Sequence, residues 1–208
     1  IPSKTLLHAA AVIEAAEEVK DFGITFAAPK IDIEALKTKM DAVINQLTTG
    51  LNGLCKARKI TRVVGTGNFK DKTTLSVTGD NGQTDISFKN AIIATGSHPF
   101  AMPGAPDDPR IWDSTDALAL ESIPKKLLII GGGIIGLEMA QVYHALGSEI
   151  TIVEMLEQLI PPADKDVVQP LFLKLKKRYQ IFTETKVAAI KATAKNIEAT
   201  MEDGKDEQ

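Results

Sequence analysis

The strongest constraint in the chain is a triple-glycine bend set between a strand pattern and a helix pattern. A run of apolar residues, Leu127 to Ile130, opens onto Gly131-x-Gly133-x-x-Gly136. Ile135, Met139, Val142 and Leu146 then recur on one helical face until Gly147 stops the pattern. A second apolar strand, Ile150 to Val153, ends on an acid, Glu154. Strand, helix and strand in this order predict an α/β fold of Rossmann-like type, with parallel strands joined through a helical crossover.

Each residue of the bend has a physical task. Gly131 permits the tight turn, Gly133 lets the backbone approach a pyrophosphate, and Gly136 allows the helix to lie close to the strand. The helix N-terminus offers unpaired N–H groups and a partial positive charge to phosphates. The candidate binding residues are therefore Gly131, Gly132, Gly133, Ile134, Ile135 and Gly136. Glu154 stands 18 positions beyond the last glycine, Gly136, where an acid accepts hydrogen bonds from a ribose diol. Its charge would repel a 2′-phosphate, so NAD is favoured over NADP. A bare strand-to-helix turn is the plain alternative, and the flanking strand, helix and acid weigh against it.

Composition narrows the partners. The 208 residues are 44% hydrophobic and 25% charged, with a net charge of −3, as in an ordinary soluble globular protein. That balance argues against nucleic acid or an anionic membrane as the main partner. The basic run Lys174, Lys176, Lys177, Arg178 reads as a solvated helix face. A single cysteine, Cys55, excludes an internal disulfide framework and suits a reducing compartment; it reads as an inert buried thiol. His8, His98 and His144 show no ligand spacing, so no metal is expected.

Elsewhere the pattern is coarser. Ser3 is placed to cap a helix to about Glu18, with Leu6, Ala10, Ile13 and Glu17 at helical spacing. Residues 32–57 form a long helix of roughly 35–40 Å, whose stripe Leu36, Met40, Val43, Leu47, Leu51 and Leu54 predicts a packing seam. Short strands are expected over 60–64, 73–77, 84–88 and 91–94, with a hairpin turn at Asp80-Asn81-Gly82. Residues 96–124 read as a linker. Beyond Glu154, a helix capped by Asp164 turns Val168, Leu171 and Leu175 inward despite Pro170, and residues 181–201 read as short strands.

Several local sequences occur together in one order: Ile1-Pro2-Ser3-Lys4, Gly65-x-Gly67-x-Phe69, Ala94-Thr95-Gly96-Ser97, Pro109-Arg110-Ile111-Trp112-Asp113-Ser114, the run Gly131 to Glu138, and Val153-Glu154. Over essentially its whole length the chain resembles the pyridine nucleotide-disulfide oxidoreductases, flavoenzymes carrying FAD and NAD in adjacent Rossmann-like domains. The resemblance implies a partial FAD-binding domain over 1–120 and the first part of an NAD-binding domain over 121–208, with a β-ribbon between. Lys4 resembles a lysine beside the flavin that ion-pairs with a glutamate of the NAD helix, here Glu138; these are the implied catalytic residues. A buried lysine needs a counter-charge, and a cation near flavin N5 stabilises negative charge on the reduced ring. Gly67 resembles a position meeting the FAD adenine side, Thr95, Gly96 and Ser97 the loop along the FAD, and Val187 a main-chain contact to the NAD adenine. From the residues alone, Lys4 is a first-turn helix residue and Val187 a strand residue.

Within that family the likeness is greatest to members that oxidise dihydrolipoyl groups, passing electrons through FAD to NAD. It implies a homodimer, a cytoplasmic location, and a dihydrolipoyl-bearing acyltransferase of a 2-oxo acid dehydrogenase complex as partner. The FAD pyrophosphate motif and both redox cysteines would precede Ile1, so the sequence reads as an internal piece of a longer chain. Mercuric and glutathione reductases and soluble transhydrogenases share most of these motifs, but NADPH users carry arginines near the position of Glu154. A redox-silent nucleotide-binding module is the alternative from another class.

Overall fold

The computed structural model describes residues 1–80 and 82–204. They form two compact units, 1–44 with the described residues from 99 on, and 45–98. The boundary falls inside one long helix.

In the first unit, helix α1 (Pro2–Glu18) begins with Pro2, whose missing N–H is one the first turn leaves unused. Ser3 lies inside the helix and caps nothing; Ile1 holds the cap position. Leu6 and Ala10 are buried. Helix α2 (Ile33–Ala57) starts as expected, the Asp32 carboxylate accepting the Ala35 N–H at 3.0 Å. Its apolar stripe is not a continuous seam. Met40 is buried, whereas Leu47, Leu51 and Leu54, in the part of α2 belonging to the second unit, stay about half exposed.

The expected linker contains a helix. Helix α3 (Ser114–Ala119) is held by a capping box in which Asp113 accepts from the Thr115 and Asp116 N–H groups while Asp116 accepts from the Asp113 N–H. Tyr143, fully buried, donates its hydroxyl to the Ala117 carbonyl at 2.7 Å and so ties α3 to the core. Ahead of α3, Arg110 grips Asp108 through Nε and Nη2, both at 2.8 Å, and donates to the Thr193 carbonyl at 2.8 Å.

Strands β4 (Lys126–Ile130), β5 (Glu149–Val153) and β6 (Gln180–Phe182) form a parallel sheet in that order. The central strand carries the core, with Ile150, Ile152 and Val153 buried. Helix α4 (Ile134–Ala145) crosses between β4 and β5 and buries Met139, Ala140, Val142 and Tyr143. Ile135 departs from the expected stripe and is 59% exposed in the first turn. Gly147, at φ +111°, ends the helix, and the Ser148 N–H bonds the Tyr143 carbonyl at 2.8 Å. Helix α5 (Lys165–Leu175) contains Pro170 and buries Val168, but Leu171 is 37% exposed and the Asp164 side chain makes no cap bond. The end of this unit is an antiparallel ribbon, β7 (Thr185–Ala192) with β8 (Ile197–Asp203), whose register shifts between Val187 and Ala189.

The second unit is an antiparallel sheet of β1 (Thr66–Phe69), β2 (Thr74–Gly79) and β3 (Gly82–Ser87) in that order. Gly79 pairs with Gly82; Asn81 of the expected hairpin turn lies outside the described residues. Strands expected over 60–64 and 91–94 do not form. No described strand pairs with either segment, and an apolar pattern without a hydrogen-bonding neighbour does not make a strand. Strand β1 begins after a close backbone crossing, since a Cβ at Gly65 would lie 2.5 Å from the Thr78 carbonyl oxygen and one at Gly79 2.5 Å from that of Val64.

Candidate functional site

The three glycines of the bend divide the work as their spacing requires. Gly131 sits at φ +102°, a conformation costly for any residue with a side chain. Its N–H donates to the Val153 carbonyl at 2.8 Å, fastening the end of β4 to the end of β5. At Gly136 a Cβ would meet the Gly131 carbonyl oxygen at 2.4 Å and Ile129 Cγ2 at 3.1 Å, so helix and strand touch there. At Gly133, the cap of α4, a Cβ would meet nothing within 4 Å. Ile134 and Ile135 leave the first turn open to solvent, and the N–H groups of that turn have no intrahelical partner. An open cradle beside a helix N-terminus fits a pyrophosphate.

Glu154 follows β5 and is 7% exposed. Its Oε2 accepts the Gly132 N–H and its Oε1 the Leu156 N–H, both at 2.8 Å. A carboxylate has about four acceptor positions, so two remain for a diol. The main chain fixes the residue as well: its N–H donates to the Phe182 carbonyl at 2.7 Å, and its carbonyl accepts the Thr185 N–H at 3.0 Å. Val187, two residues further along β7, is buried. The structure therefore brings Gly131 to Gly136, Glu154 and the start of β7 together.

Lys4 and Glu138 also meet, with Nζ 2.6 Å from Oε1. The lysine side chain is 76% exposed and the carboxylate 22%. Lys4 is thus not a buried cation in this structure, and an ion pair this exposed contributes little to stability.

The remaining sequence candidates lie in the second unit. Gly67 is an exposed β1 residue opposite Val77, and a Cβ there would make ordinary contact with Leu75. The steric demand in that motif falls on Gly65. Thr95, Gly96 and Ser97 are exposed irregular backbone, with Gly96 at φ +80°. Cys55 is half-buried, not buried. In the first unit, His144 packs edge-on against Tyr179 at 5.1 Å.

Sequence reasoning missed what surrounds Gly132. A Cβ there would fall 2.3 Å from Leu159 Cδ2, and the Ile160 N–H donates to the Gly132 carbonyl at 3.0 Å. Nothing in the spacing of residues 154–160 announces this contact.

A bend of this construction on a parallel sheet, closed by an acid after the second strand, defines an α/β protein of Rossmann-like type. Residues 1–208 match the family model for pyridine nucleotide-disulphide oxidoreductases, and the chain belongs to that family. It is 52% identical over 203 residues to the dihydrolipoyl dehydrogenase of Vibrio cholerae, covering 97% of this chain and 43% of the relative. It is 51% identical over 204 residues to that of Haemophilus influenzae, again covering 97% and 43%. The chain thus spans less than half the length of these relatives. Among solved structures, LpdA of Mycobacterium tuberculosis shares the fold at a TM-score of 0.83 and 21% identity, over 98% of this chain and 46% of that one. The flavoprotein disulfide reductase RclA of Escherichia coli, solved as a Cu(II) complex, gives 0.76 at 25% identity, over 97% and 43%.

Proposed function

We propose that the chain is part of a dihydrolipoyl dehydrogenase and supplies the NAD-side binding surface of that enzyme. The reading rests on one observation, the glycine bend and Glu154 assembled at the ends of β4 and β5. Gly133 and the first turn of α4 hold the pyrophosphate, Glu154 accepts the adenosine ribose diol, and the Val187 main chain meets the adenine. On the flavin side, Lys4 is held by Glu138, and Gly67, Thr95, Gly96 and Ser97 belong to the FAD wall. FAD, when bound there, would supply the two-electron relay between dihydrolipoyl thiols and NAD. Residues 1–120 then belong to the FAD-binding domain and 121–208 to the NAD-binding domain.

Relatives at about half identity, all named dihydrolipoyl dehydrogenase, support this reading over a glutathione or mercuric reductase, a transhydrogenase or a redox-silent module. The carboxylate supports it too, since a 2′-phosphate at Glu154 would face an uncompensated negative charge. The same reading includes a homodimer, a cytoplasmic setting and an acyltransferase bearing dihydrolipoyl groups as partner. No helix among the described residues is long and apolar enough to cross a membrane.

The test is coenzyme preference in the complete protein with dihydrolipoamide as reductant. The parent reduces NAD far faster than NADP, and Glu154→Arg narrows the ratio at least tenfold. Equal use of both coenzymes by the parent, or an unchanged ratio in the variant, removes the assignment.

A further inference from the structure

The middle glycine of the bend, which carries none of the fingerprint's three tasks, is the most tightly held. The segment after β5 grips it from three directions. Glu154 Oε2 takes its N–H at 2.8 Å, the Ile160 N–H takes its carbonyl at 3.0 Å, and Leu159 Cδ2 occupies the place of a Cβ at 2.3 Å. Leu159 is fully buried. Ile160 stands at φ +48°, a left-handed conformation that a β-branched residue rarely adopts. Such a conformation persists where surrounding bonds over-determine it, and here the Ile160 N–H is committed to Gly132 and its carbonyl to the Ala163 N–H at 2.9 Å. Gly132 itself is outside the left-handed region, so only space excludes a side chain there.

We propose that Leu159 and Ile160 are positioning residues for the dinucleotide, holding Gly132 so that Gly133 and the first turn of α4 present a preset phosphate cradle. This rests on the NAD reading above. Neither residue needs to touch the coenzyme. Displacing Gly132 moves Gly133, the next residue and the cap of α4, and the phosphate donors shift with it. Glu154 belongs to both parts: it accepts the ribose in that reading and already anchors the bend, so adenosine and pyrophosphate sites are set by one carboxylate.

The experiment is a rescue. In the complete protein, NADH affinity is measured by equilibrium titration for the parent, Gly132→Ala, Leu159→Val and the double variant. Gly132→Ala binds at least tenfold more weakly because its Cβ strikes Leu159 Cδ2, which full burial keeps from turning aside, and crowds Glu154 Cβ at 3.3 Å. Leu159→Val, which lacks that carbon and so gives up its grip on Gly132, binds about threefold more weakly than the parent, and parent-like binding takes Leu159 out of the positioning role. The double variant recovers to within about threefold of Leu159→Val. A double variant as weak as Gly132→Ala, or a Gly132→Ala protein that binds like the parent, overturns the proposal. If Gly132→Ala does not fold, Leu159→Ala is read by amide exchange at Gly132, relative to the Ile152 amide and without nucleotide. A tenfold faster exchange supports the clamp and an unchanged rate overturns it. A parent that binds no NADH refutes the nucleotide reading itself, and the clamp's role falls with it; the other failures strike the clamp alone.

Discussion

Raising the pH should dismantle the first unit through its tyrosines. Tyr143 and Tyr179 are the only two in the chain, and burial pushes both phenols from the ordinary 10.0 up to about 12, with the charge of Glu14 adding to the effect on Tyr179. Both are acids with raised values, so the folded protein keeps phenolic protons that the unfolded chain has already lost. Their contribution is intact below pH about 10 and drains away as the pH climbs towards about 12. At about 1.4 kcal/mol per decade, each phenol removes on the order of 2–3 kcal/mol across that window and the pair about 5. A domain has about 5–15 kcal/mol in total, so this is enough to bring on unfolding. Tyrosinate absorbance and far-ultraviolet circular dichroism followed on one alkaline titration should change together near pH 11–12. A phenol that ionises near pH 10 while the helical signal stays intact refutes the reasoning. The two hydroxyls should also separate by substitution. Tyr143→Phe leaves the Ala117 carbonyl without its bond and costs about 1–2 kcal/mol, whereas Tyr179→Phe removes a buried hydroxyl with no partner among the described residues and is neutral or stabilising by up to about 1 kcal/mol.

Arg110, through its guanidinium and its own N–H, holds the Asp108 carboxyl down at about 2. A lowered carboxyl stabilises the fold above its ordinary value and loses that contribution as the pH falls through about 2; Asp108→Asn should flatten the acid limb of a thermal-stability profile. Gly136→Ala drives a Cβ into the Gly131 carbonyl and Ile129 and should cost about 2–4 kcal/mol by denaturant titration, with loss of NADH binding. Pro170→Ala restores an N–H inside α5 and should raise stability by about 1–2 kcal/mol, read as a higher denaturant midpoint at unchanged slope.

What the sequence disclosed follows the range of the forces involved. Residues 127–154 were legible because strand, bend, helix stop and acid are each fixed by neighbours a few positions away, and β4, α4 and β5 stand where the spacing placed them. The start of α2 near Asp32 was readable for the same reason. Helix α3 was also written locally, in Asp113-x-x-Asp116, beneath a segment dominated by proline and aspartate. Apolar patterns that depend on a distant neighbour misled. Residues 91–94 alternate nothing and pair with nothing among the described strands, and Leu47, Leu51 and Leu54 share a stripe without being covered. In the site, the Lys4–Glu138 contact came from family resemblance and the structure makes it, but the burial argued for the lysine is absent. The grip on Gly132 was invisible because it depends on how residues 154–160 turn back, which no spacing rule encodes.

The bare stretch at 91–94 has a practical consequence. Ile92 is 95% and Ile93 72% exposed, a β-branched pair between two alanines in a charge-free segment whose amides no described strand engages. Such a segment is a template onto which the same segment of another molecule stacks. Concentrated preparations of this polypeptide should therefore deposit fibrous material that thioflavin detects, and a lysine substituted at Ile92 should keep them clear.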